Sequence, residues 1–213
     1  MFQKSASPGN IPIFRAFLKR PEMLVFLVLT LWLSAPALLG SFSYSMVFEP
    51  GAVRNGEWWR LLTHSFVHVT RFHLLLDGAA FFLVYQSLLE PKLVRRLAYV
   101  LTGAVGSLLF SWIAAPNIAT SGLCGLSAIA HGLTAVSAIE IMANQSRGSA
   151  EWRIGFITLA MVIGKAALEA LMGHALFGFL YFGQVGDPIA VSHAGGIVGS
   201  LIAMLLLKGG RRG

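Results

Sequence analysis

Gly122-Leu123-Cys124-Gly125-Leu126-Ser127-Ala128-Ile129-Ala130-His131 is a glycine-rich entry into an apolar run, with a hydroxyl at the point where a helix is expected to begin. A serine at a helix start lies among backbone N–H groups that have no intrahelical partner. It also lies at the positive end of the helix dipole, where negative charge on an attacked carbonyl is stabilised. Two readings follow: Ser127 is a nucleophile, or it is a small residue that lets two helices approach closely. Its surroundings decide between them.

The run belongs to a chain that is apolar throughout. Of its 213 residues 56% are hydrophobic and only 12% charged, and the mean hydropathy of +0.72 is that of a membrane protein rather than a soluble domain. Apolar blocks lie near 23–42, 72–90, 97–115, 122–142, 154–173 and 190–207, each approaching the ~20 residues that span a bilayer. The expected fold is an all-α membrane protein, a bundle of six transmembrane helices over 23–207, with a short lead at 1–22 and a basic tail at 208–213.

Charge sets the expected orientation. On a six-span reading, twelve of the sixteen Lys and Arg fall on one side: Lys4, Arg15, Lys19 and Arg20; Lys92, Arg95 and Arg96; Arg147 and Arg153; Lys208, Arg211 and Arg212. Arg54, Arg60 and Arg71 fall on the other, and Lys165 is inside a span. The positive-inside rule then places both termini in the cytoplasm. Basic loops beside anionic lipid account for the net charge of +7 without nucleic acid. The single cysteine, Cys124, excludes an intramolecular disulfide and offers no metal cluster. No metal or cofactor is expected. The first apolar run is too long for a cleavable signal and lacks a cleavage site.

Working outward, His64-Ser65-Phe66-Val67-His68-Val69-Thr70-Arg71-Phe72-His73-Leu74-Leu75-Leu76-Asp77 gathers three of the six histidines and a carboxylate at the start of the second block. His73 and Asp77, four apart, share a helix face, and ionisable groups inside a membrane helix are functional candidates, with a structural hydrogen-bond pair as the alternative. The connection before it, about 41–63, is rich in aromatics, and Trp58 and Trp59 are expected at headgroup depth. Pro36 marks a kink in the first block. Gly103, Ser107 and Ser111 form a small-residue stripe in the third, and Glu140 is expected to be solvated near the cytoplasmic end of the fourth. Lys165 and Glu169 read as a neutralising ion pair in the fifth. Residues 174–188, dotted with glycine, suit a flap over the outer face. In the last block His193 precedes Gly195-x-x-x-Gly199, with Ala203 continuing the stripe, so the backbone there can come close enough to a neighbour for a Ser–His hydrogen bond.

Three motifs thus stand in order: His73-x-x-x-Asp77 entering the second span, Gly125-x-Ser127 opening the fourth, and His193 with its glycine stripe in the sixth. Over about 56–205, including Gly56-Glu57-Trp58-Trp59-Arg60, the chain resembles the rhomboid family of intramembrane serine proteases. Around Gly125-Leu126-Ser127-Ala128-Ile129-Ala130-His131-Gly132, and in Lys165 with Glu169, it is similar to the rhombosortases of the bacterial inner membrane, which pair with proteins bearing a C-terminal Gly-Gly sorting tail, a hydrophobic helix and a basic end.

The resemblance implies Ser127 as nucleophile and His193 as general base, with no third carboxylate required. It also implies an oxyanion site formed by the Ser127 N–H and His73 and supported by Asp77 and Gly125. His131 is expected to stack on or position the catalytic histidine, with a role as base the alternative. Expected partners are membrane lipid and transmembrane substrates with Gly-Gly tails, at the outer face of the inner membrane. Two features depart from the family: Asp77 stands where asparagine is common, and an ionised carboxylate accepts hydrogen bonds without donating. Ala128 stands where glycine is usual. Two other classes remain. One is a catalytically inactive rhomboid-like protein that binds membrane clients. The other is a small proton-coupled transporter using His73, Asp77, Lys165 and Glu169, although the inverted repeats it predicts are absent.

Overall fold

The structure is a computed structural model that describes residues 20–176 and 188–208. The lead up to residue 19, the tail from 209, and 177–187 of the expected flap lie outside the described residues. The bundle is built from α1 (Pro21–Leu33), α2 (Arg71–Ser87), α3 (Leu93–Ala114), α4 (Ser127–Asn144), α5 (Ala150–Met172) and α6 (Val191–Lys208). Among the described residues extended pairing is confined to one isolated bridge, Phe48 with Leu123. Helices α3 and α5 are long and apolar enough to cross a membrane. The segment Arg60–Phe66 with α2, bent by 90°, makes a third candidate if taken as one broken span, while α1 and Val191–Leu207 are apolar but shorter.

Helix α6 is the centre of the packing, and glycine is the reason. A Cβ built on Gly195 would run into the carbonyl oxygen of Gly106 on α3, one on Gly199 into that of Thr102, and one on Gly196 into that of Ala128 on α4. Gly103 and Gly132 likewise leave room for the buried Ser200. Gly195 and Gly199 of the expected α6 stripe and Gly103 of the α3 stripe thus join Gly106, Gly132 and Gly196 in one seam, in which α6 lies against α3 and α4 backbone to backbone. Below it Phe26, Phe81, Tyr85, Leu126, Leu133 and Met204 fill the common core, the rings of Phe26 meeting Phe81 and Tyr85 edge-on at 5.5 Å.

Polar groups fix the ends. The Thr70 hydroxyl accepts from the His73 N–H at 3.1 Å and so caps α2, and Ser149 does the same for α5. The kink expected at Pro36 is a break in the helix at Ser34, whose hydroxyl donates to the Phe66 carbonyl at 2.8 Å. Arg60 is buried and donates to the carbonyls of Tyr44 and Val47 at 2.6 and 2.7 Å, clamping the aromatic connection. One reading is corrected. Glu140 is not solvated; it is buried and accepts the Leu89 N–H at 2.6 Å, holding the turn between α2 and α3. Trp58 and Trp59 are 64% and 48% exposed, as an anchor in a headgroup layer requires.

Candidate active site

Ser127 is the first residue of α4, and the chain before it is pinned on both sides. Phe48 and Leu123 exchange backbone hydrogen bonds at 3.1 and 2.9 Å, and the Gly125 N–H reaches the His64 carbonyl at 3.1 Å. Gly125 has φ +99°, a left-handed conformation, and a Cβ there would sit 2.6 Å from Asp77 Oδ2 and 2.9 Å from His73 Nε2. Only glycine lets the α2 polar groups come this close to the entry of α4.

His193, in the first turn of α6, brings Nε2 to 3.2 Å from Ser127 Oγ. Its other ring nitrogen, Nδ1, lies 2.6 Å from Glu169 Oε2. Since a carboxylate only accepts, the proton belongs on Nδ1, which leaves Nε2 free to accept from the serine hydroxyl. Helix packing is thus not the only thing that holds this imidazole, because a buried carboxylate from α5 is bonded to it. The Lys165–Glu169 pair forms as expected at 2.7 Å, but it is not isolated, since Glu169 also reaches across to α6.

His131, one turn along α4, stacks on His193 with ring centroids 4.0 Å apart and planes 12° from parallel. Its Nδ1 is 2.7 Å from the Ser127 carbonyl and its Nε2 3.1 Å from Lys165 Nζ. With both nitrogens engaged, His131 is placed for stacking rather than for taking the serine proton. His131, Glu169 and His193 together bring potential metal ligands within 4.8 Å of one another. The Lys165 ammonium, bonded to both His131 and Glu169, sets a positive charge where a cation would need to be, so the donor set does not fit a metal.

On the other side of Ser127, two donors converge. The Ser127 N–H and His73 Nε2 lie 3.0 and 3.1 Å from one point, and that point is Asp77 Oδ2. His73 and Asp77 thus share a face as their spacing requires, yet the carboxylate fills the position an oxyanion would take. Behind it, buried His68 holds Ser34 Oγ at 2.9 Å through Nδ1. Its Nε2 points toward Asp77 Oδ2 at 3.8 Å and has no hydrogen-bond partner among the described residues. Ser127, His193, His131, His73 and Asp77 border a cavity of about 290 Å³, flanked by Leu76 and Ala80 of α2 on one side and Val162 and Lys165 of α5 on the other.

Residues 55–210 match the Rhomboid domain family. The chain belongs to the rhomboid family. It is a multi-pass membrane protein of a family of intramembrane serine proteases. No curated protein matches this rhomboid. Every motif quoted for the resemblance, from Gly56 to His193, lies inside the matched span. Gly195 and Gly199 form the α6 seam, while Ser127, His193, His73, Asp77, Gly125 and His131 come together at one end of it. The residues missed in sequence are Glu169, as a partner of His193, and His68. The i,i+4 pairing of Lys165 with Glu169 was visible, but the helix that Glu169 faces was not.

Proposed function

We propose that this rhomboid is an intramembrane serine endopeptidase in which Ser127 attacks the scissile carbonyl while His193 takes its proton and later returns it to the leaving amine. The observation that carries this reading is the 3.2 Å approach of His193 Nε2 to Ser127 Oγ beside a cavity. Next to it, the Ser127 N–H and His73 converge on one point. These are the donors an oxyanion needs.

The Asp77 carboxylate has to leave that point when the substrate carbonyl arrives, since it accepts from both donors and offers the carbonyl oxygen no hydrogen in return. The acyl-enzyme is then resolved by water, or by an amine if the enzyme transfers its product.

The substrate class follows from the similarity of the Ser127 segment and the Lys165/Glu169 pair to the rhombosortases: exported proteins of the bacterial inner membrane with a C-terminal Gly-Gly tail, a hydrophobic helix and a basic end. In this reading the bundle spans the membrane six times, both termini are cytoplasmic, and cleavage occurs near the outer face. The occupied oxyanion position favours one other reading, a rhomboid-like protein that binds membrane clients without cutting them.

Fluorophosphonate labelling of the detergent-solubilised protein separates the two without a known substrate. The expected result is a labelled wild type and no labelling of Ser127→Ala or His193→Ala. A folded wild type that stays unlabelled, or a Ser127→Ala variant that labels equally, supports client binding. A reporter carrying a Gly-Gly tail, co-expressed with the wild type, is expected to be cut, and the same reporter with Val-Val in place of Gly-Gly is expected to stay intact.

A further inference from the structure

We propose that Glu169 is a positioning residue for His193, and that Lys165 holds it in that task, so that the site works as a Ser-His-Glu triad. The proposal rests on the serine-protease reading of Ser127 and His193.

Glu169 has 0% of its surface exposed, and both carboxylate oxygens are engaged. Oε2 accepts from His193 Nδ1 at 2.6 Å, while Oε1 accepts from Lys165 Nζ at 2.7 Å and from the Leu176 N–H at 2.8 Å. A carboxylate buried in an apolar bundle needs a compensating cation and filled acceptor sites. A structural pair with Lys165 one turn away on the same helix would supply the cation without reaching α6. Glu169 instead spends its second oxygen on the imidazole nitrogen that faces away from the serine.

That bond does two things. It keeps the proton on Nδ1 and Nε2 bare, and it sets negative charge beside the imidazolium that forms when His193 takes the serine proton. Glu169 touches neither the nucleophile nor the cavity. The ammonium of Lys165 is bonded to Glu169 and His131, so it orients both partners of His193 without contacting Ser127.

The structure also says what glutamine would do. Lys165 and the Leu176 N–H only donate, so they draw the amide oxygen to their side and turn the NH2 toward Nδ1. His193 is then held with its proton on Nε2, the tautomer that cannot accept from serine.

The test is the pH dependence of the fluorophosphonate labelling rate of the full-length protein in detergent. The groups facing His193 are Ser127 and His131 from α4, Lys165 and Glu169 from α5, and His73 and Asp77 from α2; only Glu169 is changed. Glu169→Gln is expected to label on the order of 10³-fold more slowly, and the acid limb of its profile moves to lower pH because the imidazolium has lost its counter-charge. Glu169→Asp restores part of the rate. A role in folding alone would lower the labelled fraction and leave the limb in place.

Folded Glu169→Gln that labels within about twofold of the wild type, with an unmoved limb, overturns the proposal. If Glu169→Gln does not fold because Lys165 is left unpaired, the double variant Lys165→Met/Glu169→Gln removes both charges of that pair and gives the same comparison. It is expected to label at least about tenfold more slowly, and a wild-type rate overturns the proposal. Labelling of Ser127→Ala at the wild-type rate would overturn this proposal and the protease reading together. Ser127-dependent labelling unaffected at Glu169 would overturn the triad alone.

Discussion

Glu22 and Glu169 are both carboxylates buried beside a cation in an apolar bundle, but their surroundings differ. Glu22 receives Arg96 through Nε and Nη2 and the Tyr85 hydroxyl at 3.1 Å. Arg96 spends its remaining group on the carbonyls of Glu90 and Pro91, and Arg20 closes over the end of α2 by donating to the Tyr85 and Leu88 carbonyls. That cluster joins α1, α2 and α3 and closes on itself.

The Glu169 cluster starts the same way, with a short pair to Lys165, and then runs outward. The bonds lengthen from 2.6 Å at Glu169 to 3.2 Å at Ser127, and the chain of contacts ends at a cavity. One carboxylate oxygen, Asp77 Oδ2, sits between two donors, and one imidazole nitrogen, His68 Nε2, has no hydrogen-bond partner among the described residues. Buried charge that satisfies itself is a clamp, whereas buried charge that leaves an acceptor facing open space can do chemistry.

Substitutions sharpen this contrast. The largest expected effect is on stability: Glu22→Ala leaves Arg96 buried without its counter-charge and is expected to cost about 3–5 kcal/mol, read by unfolding in detergent. Labelling per folded molecule should be unchanged, and a loss of labelling in the folded fraction would break the division between clamp and site.

Asp77→Asn is expected to leave the fold intact and to label at least as fast as the wild type, up to about tenfold faster, since an amide can donate to the oxyanion that the carboxylate repels. A loss as deep as that of Ser127→Ala would assign the carboxylate an indispensable role. The smallest effect is expected at His131. His131→Phe keeps the ring stacked on His193 but drops the bond to Lys165, so the rate should fall by no more than about tenfold. Complete loss in a folded His131→Phe variant would make His131 the base.

The contrast also marks what could be read from the chain alone. Periodicity and hydropathy place residues along their own helices, so the Ser127 helix start, the shared face of His73 and Asp77, the small-residue stripes and the Lys165–Glu169 pair were all legible. What faces them across the bundle was not. Glu169 was visible as half of an ion pair on α5, and its bond to His193 exists only because the α6 seam brings two helices to backbone contact. Glu140 was misread for the same reason: it sits near a polar loop in sequence and is drawn inward by the Leu89 N–H, from a segment that spacing does not reveal. The aspartate in place of the usual asparagine signalled a conflict at the oxyanion site, though not that its oxygen would sit between the two donors.

The glycine seam of α6 also acts as a ruler. Each of Gly195, Gly196 and Gly199 fits against one particular backbone oxygen on α3 or α4, so the helix can seat at one register only. A helix advances about 1.5 Å per residue, so slipping to the next four-residue repeat would carry His193 about 6 Å along the axis. The length of the Ser127–His193 bond is therefore set by notches cut along the first three turns of α6 rather than by the histidine itself.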